Sequence, residues 1–245
     1  MQEFFIGWHQ PNNGESGCGS FDRSMISVNR LLKRKSNFKV NRWILDSGAF
    51  TRITSGVGHL PVDEYVNQIN RWCKCGDLAA AVTQDWMCEE FVLKITGLTV
   101  ANHQQMTIDR YDELSALITS AYLMPVLQGY QPHEYVQHLS DYGNRLKHGS
   151  WVGVGSVCKR NSSVRSVELV LNAIKSERPD LKLHGFGLKK TALQSLDVWN
   201  SLYSADSQAH GLAGGSGSKK YVGSNDPTVA LNYAGEISKY HYTIS

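Results

Sequence analysis

Seven short apolar runs, each followed by glycine or a polar residue and then by an amphipathic stretch, set the terms for what this chain can fold into. The runs are FFIGW, RWILDSGAF, LAAAVTQD, YLMPVLQG, WVGVGS, LKLHGFG and SLYSAD. Each is short and mostly without alternation, as expected of strands buried on both faces of a parallel sheet. The segments between them carry helical spacing. Leu60 to Trp72 places Val62, Tyr65, Val66, Ile69 and Trp72 on one face. Val164, Val167, Leu171 and Ile174 do the same before Pro179 stops that helix. Asp226-Pro227 reads as an N-cap with proline in the first helical position, and Val229, Tyr233 and Ile237 form the stripe that follows.

Strand-helix alternation over 245 residues suggests a doubly wound sheet or a (β/α)8 barrel of the TIM type. A dinucleotide fold wants a glycine fingerprint between its first strand and first helix, and NNGESGCGS does not have that spacing. No GK[ST] phosphate loop is present either, so the barrel is the expected α/β fold. Its eighth strand is not evident, and closure at the last strand is expected to be irregular or incomplete. No linker stands out, so residues 1–245 are expected to form one domain.

Apolar residues make up 41% and charged residues 19%, and no run approaches the roughly 20 apolar residues of a membrane span. The start, MQEFFIGWHQ, lacks the basic beginning and apolar core of a secretion signal. Five cysteines cannot all be paired, which fits a reducing compartment, and a cytoplasmic protein is expected. The net charge is only +3, so any affinity for nucleic acid depends on where the basic residues lie. The cluster Arg30, Lys33, Arg34, Lys35, Lys39 and Arg42 reads as a solvated helix face. The pairs Lys159-Arg160, Lys189-Lys190 and Lys219-Lys220 each follow a strand, where they would ring the mouth of a barrel and meet phosphates. Gly211 to Lys220 is glycine-rich and reads equally well as a loop or a phosphate cradle.

Chemistry in such barrels sits at the C-terminal ends of the strands. Read in order, those ends carry Asp46, Asp85, Gln128-Gly129, Gly155-Ser156, Gly185 and Gly187 around Phe186, and Asp206. One such aspartate is ordinarily a cap or a turn residue. Three of them with an amide at one face make a candidate site.

These residues also carry a resemblance. Asp46-Ser47-Gly48-Ala49-Phe50 resembles the DSGG(F/Y) motif of the tRNA-guanine transglycosylases, and Gln128-Gly129 resembles their QGG strand end. Gly153-Val154-Gly155-Ser156 resembles their glycine-rich base-binding strand, and His184-Gly185-Phe186-Gly187 is similar to their MGVG segment. Asp206 falls where their nucleophile stands. The resemblance runs from Trp43 to Asp206. Those enzymes carry a CxCxxC zinc motif after the nucleophile, whereas this chain has no cysteine beyond Cys158. Cys73, Cys75 and Cys88 lie too far upstream and lack a fourth ligand, so neither zinc nor another cofactor is expected. SADSQAH looks most like the SADS-x-A-aromatic signature of the deazapurine-in-DNA transglycosylases of phages and bacterial genomic islands, with His210 where tryptophan is expected.

The resemblance implies exchange of guanine in DNA for a free 7-deazaguanine base. Two displacements at C1′ need a carboxylate nucleophile, for which Asp206 is the candidate, and an acid/base near the departing base, for which Asp46 is the candidate. A guanine edge offers N–H donors suited to Asp85 and an O6 acceptor suited to Gln128 or a backbone N–H at Gly155-Ser156. Glycines, Gly129 among them, allow close approach to a flat ring. Phe50 reads equally as a stacking partner for the base and as a core aromatic. The target base must be flipped or offered single-stranded. The same residues leave open exchange on tRNA, hydrolysis to an abasic site, and a barrel that binds nucleic acid without catalysis.

Overall fold

The computed structural model describes residues 1–11, 18–160, 163–212 and 226–240. Nine strands are all paired in parallel: β1 (Glu3–Gly7), β2 (Arg23–Ser27), β3 (Arg42–Asp46), β4 (Asp77–Val82), β5 (Leu123–Met124), β6 (Val126–Leu127), β7 (Trp151–Val154), β8 (Lys182–Gly185) and β9 (Leu202–Ser207). Their order in the sheet is β5-β4-β3-β2-β1-β9-β8-β7-β6. The two ends of that order are one piece of chain, because only Pro125 separates β5 from β6. Proline has no N–H to give to a ladder, which is why one stave counts as two strands. On one side Thr83 N donates to Met124 O at 3.0 Å, and on the other Gly153 N donates to Pro125 O at 2.8 Å. The result is a nearly closed α/β barrel of the TIM type, with its seam at this stave.

Two expectations are corrected here. The missing strand is the second, Arg23–Ser27, not one near the end. The last strand, β9, pairs with both β8 and β1, with a register shift against β8 between Leu183 and His184. The incomplete closure lies instead at Pro125. The basic cluster from Arg30 to Arg42 is also not a helix face. It begins in a 3-10 turn, Val28–Arg30, and ends at the first residue of β3.

Alternation along each strand sorts side chains between the lumen and the helical coat. Phe5, Met25, Ile44, Ala80, Val82, Met124, Val126 and Trp151 fill the lumen as one cluster. Trp43 and Leu45, the outward neighbours of Ile44, pack instead with Tyr65, Ile69 and Trp72 of the helix Val62–Trp72. Truncating a fully buried residue such as Trp43 to alanine costs about 3–5 kcal/mol. The helix Val164–Glu177 buries Val167, Val170, Leu171 and Ile174 on the other side. The last helix, Pro227–Ile237, is capped by Asp226, whose carboxylate accepts from Thr228 N and Val229 N. At the N-terminal ends of the strands Glu3 meets Arg23 at 3.5 Å and Arg42 at 3.1 Å, and Arg42 reaches Asp77 at 2.8 Å. The opposite ends carry the uncompensated carboxyl groups. Among the described residues no helix is long and apolar enough to cross a membrane.

Candidate active site at the barrel mouth

A cavity of about 530 Å³ opens at the C-terminal ends of the strands. Asp46, Phe50, Asp85, Gln128, Gly155 and Ser156 line it together with Asp206. Gly129 does not. A Cβ there would meet Tyr135 and Glu134 of the neighbouring helix at 3.0–3.1 Å, so that glycine serves helix packing.

Asp46 is the last residue of β3. The next turn is shaped by Gly48 at φ 71°, where a Cβ would also collide with the Asn29 amide at 2.3 Å. That turn aims the backbone N–H groups of Ser47 and Gly48 at the Asp46 carboxylate, and the Ser27 hydroxyl donates to it as well. Burial is the larger influence. It lifts Asp46 to about 6, with the charge of Asp206 adding to the rise and the three donors opposing it.

Asp85 sits three residues past β4, in a loop pinned from behind. Trp86 N donates to Thr107 Oγ1 at 3.0 Å, and His59 Nε2 lies 3.1 Å from the Asp85 carbonyl. Burial holds His59 down at about 3, so its ring is neutral and donates through Nε2. Burial likewise lifts Asp85 to about 7. Gln128 Nε2 donates to Asp85 Oδ2 and opposes that rise, while the charges of Asp46 and Glu89 add to it. Gln128 itself is fixed through its main chain: its N–H donates to His138 Nδ1 at 2.8 Å, and its carbonyl accepts from Gln104 Nε2 at 2.7 Å. Its side chain crosses the space left by Gly155, where a Cβ would stand 2.1 Å from Nε2.

The network continues through Ser156, a non-glycine residue at φ 57°. Such a conformation costs on the order of 1–3 kcal/mol and persists where its surroundings fix it. Here the Ser156 hydroxyl accepts from Cys88 N at 3.2 Å and lies 2.8 Å from Gln128 Oε1 and 3.0 Å from Glu89 Oε2. Its one hydrogen serves either acceptor. Asp85, Gln128, Ser156 and Glu89 thus form one buried wall of donors and acceptors.

Asp206 lies on β9, in register with Phe5 of β1, and Gly187 N donates to its Oδ1 at 2.9 Å. His210, where the sequence signature has an aromatic, is buried and stacks on Trp8 at 6.0 Å with 19° between the planes. The slot keeps an aromatic ring.

Phe50 is 43% exposed on the short helix Ala49–Thr54, with Phe91 edge-on at 6.2 Å, so it is not a core residue. Arg160 stacks over Tyr130 at 4.4 Å, and Lys159 shares its turn, Cys158–Arg160. Lys190 is drawn away: it pairs with Glu236 and sits 4.4 Å over the Tyr233 ring. Lys189 stands at the N-cap position of the helix that Lys190 begins, without a side-chain capping bond. Lys219, Lys220 and the glycine-rich stretch from Ala213 lie outside the described residues. Polar lining residues that were not legible as site residues include Ser27, Arg30, Glu89 and Gln208, together with His9, Asn29 and Thr51. Ser27 carried a signal, since it ends a strand as Asp46 does, but its strand was itself missed. Among the described residues no group of three or more His, Cys, Asp or Glu side chains is poised for a metal.

The structure is thus a parallel barrel with carboxyl groups and a fixed amide gathered at one mouth. The family model of DpdA, deoxypurine in DNA protein A, matches residues 1–218, and the chain belongs to that family. The matched range contains every motif from Asp46 to Asp206. Membership ties the chain to modification of guanine in DNA with deazapurines, as an enzyme of the transglycosylase type acting on DNA. No curated protein matches it.

Proposed function

We propose that the protein exchanges guanine in DNA for a free 7-deazaguanine through a covalent intermediate on Asp206. In the first displacement an Asp206 oxygen bonds to C1′ as the C1′–N9 bond breaks. The bonding pair leaves with guanine, and the proton from Asp46 neutralises it. In the second, the incoming base gives its N9 proton to Asp46 and its N9 pair to C1′, and Asp206 departs as carboxylate. Asp46 is thereby returned to its acid form, so no group is consumed.

The observation that carries this reading is the placement of Asp46 and Asp206 in one cavity, with Asp46 lifted to about 6. A carboxyl group near that value both gives and takes a proton close to neutrality. Asp85, Gln128, Ser156 and Glu89 supply the edge-reading wall, and about 530 Å³ accommodates a purine-sized ring with its sugar. Phe50 at the rim stacks on the base or its neighbour, and Lys159 and Arg160 hold phosphates. Exchange is expected to run without zinc, since the chain has no cysteine beyond Cys158 and so lacks a CxCxxC set after Asp206.

The test is release of labelled guanine from DNA and from tRNA, with and without 7-cyano-7-deazaguanine, before and after chelation. Release from DNA that depends on the added base supports the reading. Release without it marks a hydrolase, and exchange only on tRNA overturns the DNA assignment. Asp206→Asn should abolish release and keep DNA binding. A covalent adduct mapping elsewhere than Asp206 removes the nucleophile assignment.

A further inference from the structure

Beneath Asp206 the lumen holds a buried polar chain that the exchange chemistry above does not use. Trp151 Nε1 lies 2.8 Å from Ser204 Oγ, and Ser204 Oγ lies 2.9 Å from His184 Nδ1. His184 Nε2 makes no hydrogen bond among the described residues, and the carboxylate oxygen it faces is Asp206 Oδ1, at 3.3 Å. Both His184 and Ser204 are fully buried. Their proximity follows from the barrel itself: His184 on β8 is the register partner of Ser204 on β9, and Asp206 lies two residues further along the same face.

The hydrogen positions follow from donor and acceptor chemistry. An indole N–H only donates, so Ser204 Oγ accepts from Trp151, and its own hydrogen is available to His184 Nδ1 when Nε2, which faces the acceptor Asp206 Oδ1, carries the ring hydrogen. A neutral imidazole that accepts at Nδ1 carries its hydrogen on Nε2, the atom that faces Asp206. The ring has little freedom to turn. Phe186 stands edge-on at 4.8 Å, Phe5 at 6.0 Å and Trp151 at 6.1 Å.

We infer that His184 is a positioning residue for Asp206. Together with Gly187 N–H it holds Oδ1, leaves Oδ2 as the atom that bonds to C1′, and supports the charge that returns to the carboxylate when the sugar departs. This rests on the base-exchange reading. While Oδ2 is esterified, Oδ1 is a carbonyl oxygen and still accepts from both donors. As the C1′–Oδ2 bond breaks, the pair stays on Asp206 and the charge spreads onto Oδ1, where fixed donors cost no reorganisation. The second displacement is therefore the step that depends most on His184.

The experiment follows the glycosyl adduct on single-stranded DNA by denaturing gel and intact mass, then adds 7-cyano-7-deazaguanine and times adduct loss. His184→Leu should slow that loss roughly 100-fold, the effect of removing one fixed donor to developing charge. DNA affinity and KM for the base should be unchanged, so the defect falls on kcat. His184→Gln, whose amide nitrogen can take the place of Nε2, should recover most of the rate, which a mere space-filling role would not allow. Should His184→Leu fold poorly by thermal melting, Ser204→Ala is the second variant, expected to slow adduct loss several-fold. In the wild-type protein imidazole ¹⁵N resonances should place the hydrogen on Nε2. Adduct loss in His184→Leu at the wild-type rate, or a hydrogen on Nδ1, overturns the inference while leaving base exchange intact. If the wild-type protein forms no adduct at Asp206, base exchange through that residue fails, and the role of His184 fails with it.

Discussion

Ser27 and Asp46 are register partners at the ends of neighbouring parallel strands, and the Ser27 hydroxyl donates to the Asp46 carboxylate. The donor favours the ionised form, so it keeps Asp46 near 6 against a burial cost that pushes the other way. Ser27→Ala should therefore raise Asp46 further. The limb of the pH–rate profile governed by Asp46 should move to higher pH by about one unit, the worth of one charge-assisted hydrogen bond. An unmoved limb would separate Asp46 from the rate-limiting proton transfer.

Asp85 should make the protein more stable in mild acid. Its folded value, about 7, lies above the ordinary 3.8, so burying the ionised form is what costs. The stability linked to this group is fully present below about 4 and is lost as the pH rises through 7. Asp85→Asn keeps an acceptor for Gln128 and removes the charge. It should raise stability at pH 8 by about 2 kcal/mol or more and flatten the slope between pH 4 and 7. Thermal melts of both proteins across that range check this, and parallel curves would refute it.

Gly155→Ala should disable base recognition without unfolding the barrel. A Cβ there would stand 2.1 Å from Gln128 Nε2, so the side chain must leave its place between Asp85 and Ser156. The expected result is a KM for the free base raised at least about tenfold, since a polar wall that loses one member is left unpaired. DNA binding through the rim should persist.

Arg160 and Lys190 should differ in their effect on the salt dependence of DNA binding. Arg160 sits 4.4 Å over the Tyr130 ring, whereas Lys190 is already paired with Glu236. Arg160→Ala should weaken binding to single-stranded DNA and reduce the salt slope by about one. Lys190→Ala should leave the slope unchanged. Titrations at several salt concentrations distinguish the two.

Strands buried on both faces were readable as apolar runs, and the barrel followed from their number and spacing. Arg23–Ser27 escaped because its lumen-facing positions are polar at both ends: Arg23 meets Glu3 and Ser27 meets Asp46. A run that is apolar only at Met25 and Ile26 does not resemble a buried strand. The strand-end aspartates were legible for the opposite reason, each being a charge directly after an apolar run. Glu89 carried no such mark. It stands in a loop next to Glu90 and reads as the start of a helix, and only Ser156, a distant partner in sequence, brings it to the cavity. His184 was visible within a motif, but its bond to Ser204 depends on strand register, which composition does not encode.

The carboxyl groups at the mouth also act as a charge filter. Asp46, Asp85, Glu89 and Asp206 line one cavity, with Arg30 at its edge. A phosphate entering that space meets several like charges at low dielectric, whereas an uncharged heterocycle meets only hydrogen-bonding partners. On the proposed function, guanine nucleotides, which share the base edge, should be disfavoured against the free base. On the same reading, the repulsion would keep the DNA backbone at the rim, so that a flipped nucleotide enters base first.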